Sequence, residues 1–102
     1  MTETGRSSEL LKKASELVRG DRHIEYGDKT LNHINIAGLW SSYLNVNINP
    51  HDVAVMMCLL KIERLKQGSR TEDTYVDAAA YMAIAREIQE RVNGEDNKEH
   101  TD

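Results

Sequence analysis

Several residue types that define familiar protein classes are scarce or missing in this chain. Phenylalanine is absent from its 102 residues, and Cys, Pro and Trp each occur once. A single cysteine, Cys58, excludes a disulfide framework and a cysteine-based zinc site, which is typical of a protein in a reducing cytosol. Because Phe is absent and Trp occurs once, the core must be largely aliphatic. A single proline and long periodic segments favour an ordered helical protein.

Positive charge and long apolar runs are also lacking. The formal net charge is -4, whereas general nucleic-acid binders are usually basic, so nucleic acid is not an expected partner. The longest apolar run, Val53 to Leu60, has eight residues and is too short to span a membrane. Because the N-terminus shows no signal-peptide segment either, we expect a cytoplasmic protein without membrane attachment.

Hydrophobic periodicity predicts an all-α, four-helix bundle-like domain over about residues 1–93, followed by a disordered acidic tail over 94–102. The predicted helices cover about residues 8–19, 30–44, 50–67 and 72–92. Asn49 followed by Pro50 indicates a helix start, and Gly68 indicates a helix end. Ser69 and Glu72 fit a capping box at the start of the fourth helix.

The apolar positions also predict which side of each helix is buried. On the second helix the expected core stripe is Leu31, Ile34, Ala37, Trp40 and Leu44. The third helix is apolar on all sides around Val53 to Leu60, so it should be central and covered on more than one side. Four short helices bury little area, and we therefore expect a homodimer or a larger homo-oligomer.

Four charged residues fall on faces that are otherwise apolar. Asp73 and Asp77 share a sector of the fourth helix with its apolar side chains, and Lys61 and Arg64 continue an apolar face of the third helix. In an antiparallel hairpin these sets should meet in a partly buried cluster. One interpretation is a structural ion-pair network that closes the hairpin. The other is a ligand site, in which carboxylates bind Mg²⁺ and the cations hold phosphate.

Other candidate residues have simpler interpretations. Asp52 suits the first turn of its helix, where an acid interacts favourably with the helix dipole. His23 and His33 lack the spacing of metal ligands, so zinc is not expected. Trp40 and Tyr43 are interpreted as core or subunit-interface residues. No nucleophile motif and no glycine-rich phosphate loop is present.

The combined motifs resemble a family of small phage and prophage proteins of unknown function. The resemblance covers about residues 15–85 and depends on these stretches: Gly20-Asp21-Arg22, Tyr26-Gly27-Asp28, Leu39-Trp40, Tyr43-Leu44, Pro50 to Ala54, Lys61 with Arg64, and Asp73 to Tyr81. That family is in turn distantly similar to the MazG-like all-α nucleoside triphosphate pyrophosphatases. The latter resemblance implies a helical dimer or tetramer in which carboxylates of neighbouring helices bind Mg²⁺ around nucleotide phosphates.

The resemblance leads to a first functional hypothesis, a phage-encoded MazG-like protein that binds a nucleotide. The residues that it assigns to ligand binding are Arg22, Tyr26, Asp28, Lys61, Arg64 and Tyr81, with Asp73 and Asp77 as metal ligands. Hydrolysis stays open, because the Glu-Glu-x-x-Glu motif of the MazG-like group is absent. The alternative hypothesis is a non-enzymatic helical oligomer that binds and modulates a host or phage protein.

Overall fold

The computed structural model describes residues 5–19 and 29–92, which form four helices and no strand. The helices are α1 (Gly5–Arg19), α2 (Lys29–Leu44), α3 (Pro50–Lys66) and α4 (Glu72–Val92). The prediction of an all-α chain with four helices is confirmed. The segment 20–28, with the predicted ligand residues Arg22, Tyr26 and Asp28, lies outside the described residues, as does the predicted tail over 94–102.

The start of α3 is fixed by the two residues that predicted it. The Asn49 side chain accepts a hydrogen bond from the Asp52 N–H at 2.9 Å, and the Asn49 N–H donates to the Asp52 carboxylate at 3.2 Å. Pro50 occupies the first helical position, where its missing N–H and fixed φ have no cost. The carboxylate of Asp52 thus completes a capping box at the N-terminus of α3.

The end of α3 is equally local. Gly68 has a φ of 101°, a left-handed conformation that glycine adopts without strain. Its N–H donates to the Leu65 carbonyl at 3.1 Å, and the Ser69 N–H donates to the Arg64 carbonyl at 2.9 Å, a Schellman pair that ends the helix. The predicted capping box of Ser69 and Glu72 is wrong, because α4 begins at Glu72 itself, so Glu72 is not in its third position.

Helices α3 and α4 form an antiparallel hairpin around an aliphatic core. Ala54 of α3 packs against Ile84, Ala85 and Ile88 of α4, and all four side chains are buried. Alanine on both helices allows the two backbones to approach closely. The apolar sector predicted for α4 is therefore confirmed over Val76, Ala80, Ile84 and Ile88.

Helix α1 extends this core along α4. Ala14 packs with Val76 and Ala80, and Val18 contacts the groups around both Val76 and Ile84. Residue numbers rise together on the two helices, so α1 runs parallel to α4. The C-terminal end of α1 consequently lies beside the second half of α4.

Helix α2 is rotated relative to its predicted orientation. Its buried residues are His33 and Ala37, whereas Leu31, Ile34 and Leu44 of the predicted stripe are exposed. The prediction weighted large aliphatic side chains. Ala37 of the predicted stripe is buried as expected and Trp40 is half-buried. The buried side is nevertheless turned toward His33, where α2 contacts α3 and α4.

Helix α3 is covered on one side only. Val53, Ala54 and Cys58 are buried, but Met56, Leu59, Leu60 and Ile62 are exposed. The prediction that α3 is covered on more than one side is therefore wrong for the single chain. Its neighbours α2 and α4 cover the inner side, and the side chains of the outer side stay exposed.

Candidate functional site

The predicted charged cluster contains one ion pair that joins α3 and α4. The Nζ of Lys61 lies 3.4 Å from Oδ2 of Asp77, with side chains 19% and 33% exposed. Both residues sit next to buried positions, so their helical phase carries them to the interface of the hairpin. Because the pair is only partly covered, its free lone pairs and ammonium protons remain open to water or a ligand.

Arg64 and Asp73 do not join that pair as predicted. Both residues are exposed, and within 5–19 and 29–92 neither of them forms an ion pair. Arg64 lies one turn beyond Lys61 toward the end of α3, and Asp73 lies one turn before Asp77 at the start of α4. A closed four-residue network is therefore not formed, because two of its members point into solvent.

The four residues nevertheless occupy one end of the molecule. In an antiparallel hairpin, the end of α3 and the start of α4 meet at the connecting loop, residues 67–71. The arrangement is a partly buried Lys61–Asp77 pair with an exposed cation and an exposed carboxylate next to it. We call these four residues the hairpin cluster. Such a mixed surface suits a phosphate bound together with a divalent cation.

A second ion pair lies near this end of the molecule, on the α1 side of α4. Lys13 Nζ donates to Glu72 Oε1 at 2.8 Å. The hydrogen bond and the charge of Glu72 raise the pKa of Lys13 above its ordinary value, and Asp73 adds a smaller contribution in the same direction. The negative charge of Asp73 therefore acts on Lys13 of α1 as well as on the other residues of the hairpin cluster.

The metal-binding capacity of the hairpin cluster is minimal. Among the described residues, no group of three or more His, Cys, Asp or Glu side chains is placed to hold a metal ion. Mg²⁺ often takes only one or two carboxylates and completes its shell with phosphate and water, so Asp73 and Asp77 fit in number. Lys61 competes for the Asp77 carboxylate, and these acids therefore fit an ion that arrives with phosphate.

Tyr81 lies one turn after Asp77 on α4. It is half-buried and packs against the core group of Ala54, Ile84 and Ile88. The ring therefore contributes to the core, and its position beside Asp77 keeps it near the hairpin cluster. This placement is compatible with the predicted contact to a ligand and does not require it.

The described residues that flank segment 20–28 contact the second half of α4. Val18 packs near Ile84, and the Lys29 ammonium lies 3.7 Å from the Glu87 carboxylate. Because Glu87 is ten residues beyond Asp77, the Lys29 contact lies about 15 Å along α4 from the Lys61–Asp77 pair. The predicted residues Arg22, Tyr26 and Asp28 fall between Val18 and Lys29 in the sequence, outside the described residues.

His33 is the polar residue that the sequence interpretation missed. It is 7% exposed, and its Nδ1 lies 2.7 Å from the Lys29 carbonyl. That contact makes Nδ1 the donor and leaves Nε2 as an acceptor, which is buried without a hydrogen-bond partner within the described part of the chain. Its spacing of four residues from Ala37 was the available signal, since both positions share one helical face.

The described helices form a small all-α domain whose hairpin end is charged. No helix among the described residues is long and apolar enough to cross a membrane. The chain belongs to the family described as "Domain of unknown function (DUF6378)", which matches residues 9–89. No solved structure matches the chain.

Two curated relatives come from mycobacteriophages. The chain is 43% identical to the Gene 55 protein of Mycobacterium phage L5 over 81 residues, 78% of this chain and 52% of that protein. It is 38% identical to the Gene 55 protein of Mycobacterium phage D29 over 90 residues, 87% of this chain and 60% of that protein. The chain thus spans half to three fifths of the length of these relatives. The predicted resemblance to phage proteins of unknown function is confirmed.

Proposed function

We propose that the protein binds a nucleotide at the hairpin cluster, as a distant relative of the MazG-like group. Lys61 and Arg64 bind the phosphates, and Asp73 and Asp77 hold the Mg²⁺ that accompanies them. The observation that supports this proposal is the Lys61–Asp77 pair, which bridges α3 and α4 at 3.4 Å while remaining partly open to solvent. The open side leaves protons of the Lys61 ammonium and lone pairs of the Asp77 carboxylate available to a phosphate and a metal ion.

The remaining contacts of the proposal concern the base and the sugar. Tyr81 supplies an aromatic edge one turn from Asp77, and Arg22, Tyr26 and Asp28 are the further residues assigned to the ligand. Binding is the proposed activity, and pyrophosphate hydrolysis is not included. The MazG-like group uses a Glu-Glu-x-x-Glu run for its metal, and α3 carries Lys61, Glu63 and Arg64 instead.

Calorimetry with a panel of ribo-, deoxyribo- and cyclic nucleotides, each with and without Mg²⁺, tests this proposal. Arg64→Gln should weaken binding roughly 10-fold, since it removes one charge-assisted contact to phosphate. Arg86→Gln is the matched control, because Arg86 is an exposed arginine of α4 that pairs only with Glu90 one turn away. The absence of heat with every nucleotide at millimolar concentration would rule the proposal out.

A second candidate function is the binding of a host or phage protein. The specific observation is the number of large apolar side chains in water, among them Tyr43 at 87% and Leu39 at 70% exposed. Contiguous apolar surface of this kind marks protein interaction sites. In a test, a captured protein would be purified and rebound to the wild-type chain. Tyr43→Ser should weaken that binding, and an unchanged affinity would contradict the candidate.

We further propose that the protein acts as a homodimer or larger homo-oligomer in the host cytoplasm, where nucleotides and reduced thiols are found. The exposed outer side of α3 supports self-association, because a helix that is apolar on all sides is stable only when covered. Sedimentation of the purified chain measures it directly.

A further inference from the structure

The outer side of α3 carries a regular pattern of side chains. Asp52, Met56, Leu59, Ile62 and Lys66 follow each other at intervals of four, three, three and four residues. At about 100° per residue these positions fall within a sector of roughly 120° on the side opposite to Ala54. We call these five residues the outer face of α3. The spacing is that of a coiled-coil seam, in which apolar residues recur every 3.5 residues on average.

The outer face is apolar in its middle and charged at its ends. Leu59, in the centre, is 56% exposed, and Met56 and Ile62 on either side are 39% and 47% exposed. Asp52 lies one turn before the apolar part, and its side chain is 44% exposed. Lys66 lies one turn after it and is exposed. The sequence of charges along the face is therefore acid, apolar, base.

This order of charges makes the outer face complementary to a second copy of itself. In an antiparallel pair centred on Leu59, Asp52 lies opposite the partner's Lys66, and Met56 lies opposite the partner's Ile62. A parallel pair would instead place Asp52 against the partner's Asp52 and Lys66 against the partner's Lys66, which like-charge repulsion disfavours. Glu63, whose carboxylate accepts from Gln67 at 2.9 Å, would also face its own copy only in the parallel arrangement.

We propose that two copies of the chain pair through the outer face of α3, with the two helices antiparallel about a two-fold axis at Leu59. This inference rests on the proposed homo-oligomer and names its surface and direction. A two-fold axis makes each contact occur twice, so the two Asp52–Lys66 pairs close both ends of the apolar part. A contact of one helix per chain is small, and dissociation at micromolar concentration is expected.

The first experiment is sedimentation of the full chain over a concentration series up to about 500 µM, well above the dissociation constant expected for a small interface. The expected mass rises from one chain, 11.6 kDa, to two. Leu59→Glu should raise the dissociation constant at least about 100-fold, because two carboxylates would face each other on the axis. Leu11→Glu is the matched control, since Leu11 on α1 is 61% exposed, and it should leave dimerisation unchanged.

The second experiment tests the direction of the helices. Lys66→Glu should weaken an antiparallel dimer about 10-fold, because two attractive pairs become repulsive. Lys12→Glu, at another exposed lysine on α1, should not weaken it. Adding Asp52→Lys to Lys66→Glu should restore the dimer, and circular dichroism of each variant checks that α3 has kept its helix despite the altered cap. A parallel dimer would not respond to Lys66→Glu.

The outcomes separate this inference from the proposals on which it rests. A single-chain mass at every concentration would overturn both the homo-oligomer and its surface. A dimer that survives Leu59→Glu would keep the homo-oligomer and overturn the outer face of α3 as its interface. A dimer that is lost in Leu59→Glu but indifferent to Lys66→Glu would overturn the antiparallel direction. Nucleotide binding is measured separately at the hairpin cluster and does not depend on these results.

Discussion

The two sides of α3 both carry apolar side chains in the middle of the helix and have opposite environments. On the inner side, Val53 and Ala54 are fully buried against neighbouring helices. On the outer side, Leu59 and Ile62 are as apolar but about half exposed. The difference shows that hydrophobicity marks a surface for burial without specifying what buries it. Within the described part of the chain, α2 and α4 cover the inner side, and the outer side stays exposed.

The largest effect is expected when isoleucine is shortened to alanine. The same change is made once at a buried residue and once at an exposed one. Ile88→Ala removes a side chain that is 0% exposed, and it should lower the free energy of unfolding by about 3 kcal/mol through lost burial and a cavity. Ile62→Ala, at a residue 47% exposed, should cost less than about 1 kcal/mol. Urea unfolding at low protein concentration, where the chain is a monomer, measures both. Equal losses would contradict the comparison.

The contribution of an ion pair to stability should also increase with its burial, but the differences should be smaller than for isoleucine. Asp77→Asn leaves the mostly buried Lys61 ammonium without its carboxylate, and about 1–2 kcal/mol of stability should be lost. Glu72→Gln, in the exposed Lys13 pair, should lower the urea midpoint at pH 7 much less than Asp77→Asn does. A double-mutant cycle of Lys61→Met and Asp77→Asn isolates the coupling. A coupling energy of zero would show that the half-buried pair is as weak as the exposed one.

The pH dependence of the Lys13 pair has a defined sign. Its pKa is raised in the folded state, so the pair contributes its small stabilisation at neutral pH and loses it above pH 10.5, the ordinary value for lysine. The alkaline part of the stability curve should therefore be slightly flatter in Glu72→Gln than in the wild type. A steeper curve would contradict the assignment.

The cap at the start of α3 should contribute less to the free energy of unfolding than the core does. Asn49→Ala removes the cap that accepts from the Asp52 N–H, and a loss of about 1 kcal/mol is expected. Asn47→Ala is the control, since Asn47 is an exposed residue of the preceding loop. Thermal unfolding of the two variants gives the difference. Similar melting temperatures would show that Pro50 alone is sufficient to start the helix.

Ionisation of the Cys58 thiol, on the inner side of α3, is expected to have the smallest effect on the free energy of unfolding at neutral pH. Burial raises the pKa of its thiol, so the folded state favours the neutral form and loses stability only as pH rises past about 9. The native thiol should react much more slowly with a disulfide reagent at pH 8 than a cysteine placed on the outer side, as in Leu59→Cys with Cys58→Ala. Equal rates would mean that the inner side opens readily.

Most predictions from local sequence were accurate, and the Ser69–Glu72 capping box was the exception. Asn49 with Pro50 marked the start of α3, and Gly68 marked its end, because caps depend on a few neighbouring residues. The phase of α4 was also correct, since Val76, Ala80, Ile84 and Ile88 repeat every four residues. The phase of α2 was correct for Ala37 but wrong for Leu31, Ile34 and Leu44, because packing selects the side that also carries His33.

The candidate site was predictable in part. Lys61 and Asp77 were expected to meet, because each lies on the inner side of a helix in one antiparallel hairpin, and they do so at 3.4 Å. Arg64 and Asp73 were expected in the same buried cluster and are exposed. Their helical angles were adequate, but they lie near the helix ends, where the neighbouring helix no longer covers a side chain.

The sequence by itself determined the four described helices, the caps of α3 and the aliphatic core of α4, because these depend on local propensity, periodicity and composition. Only the tertiary structure decided which side of α2 and α3 is buried and which charged residues meet. The physical reason is that a helix apolar on several sides can bury any of them at similar gain. The choice is made by the shape and number of the neighbours, and in this protein they leave the outer face of α3 uncovered.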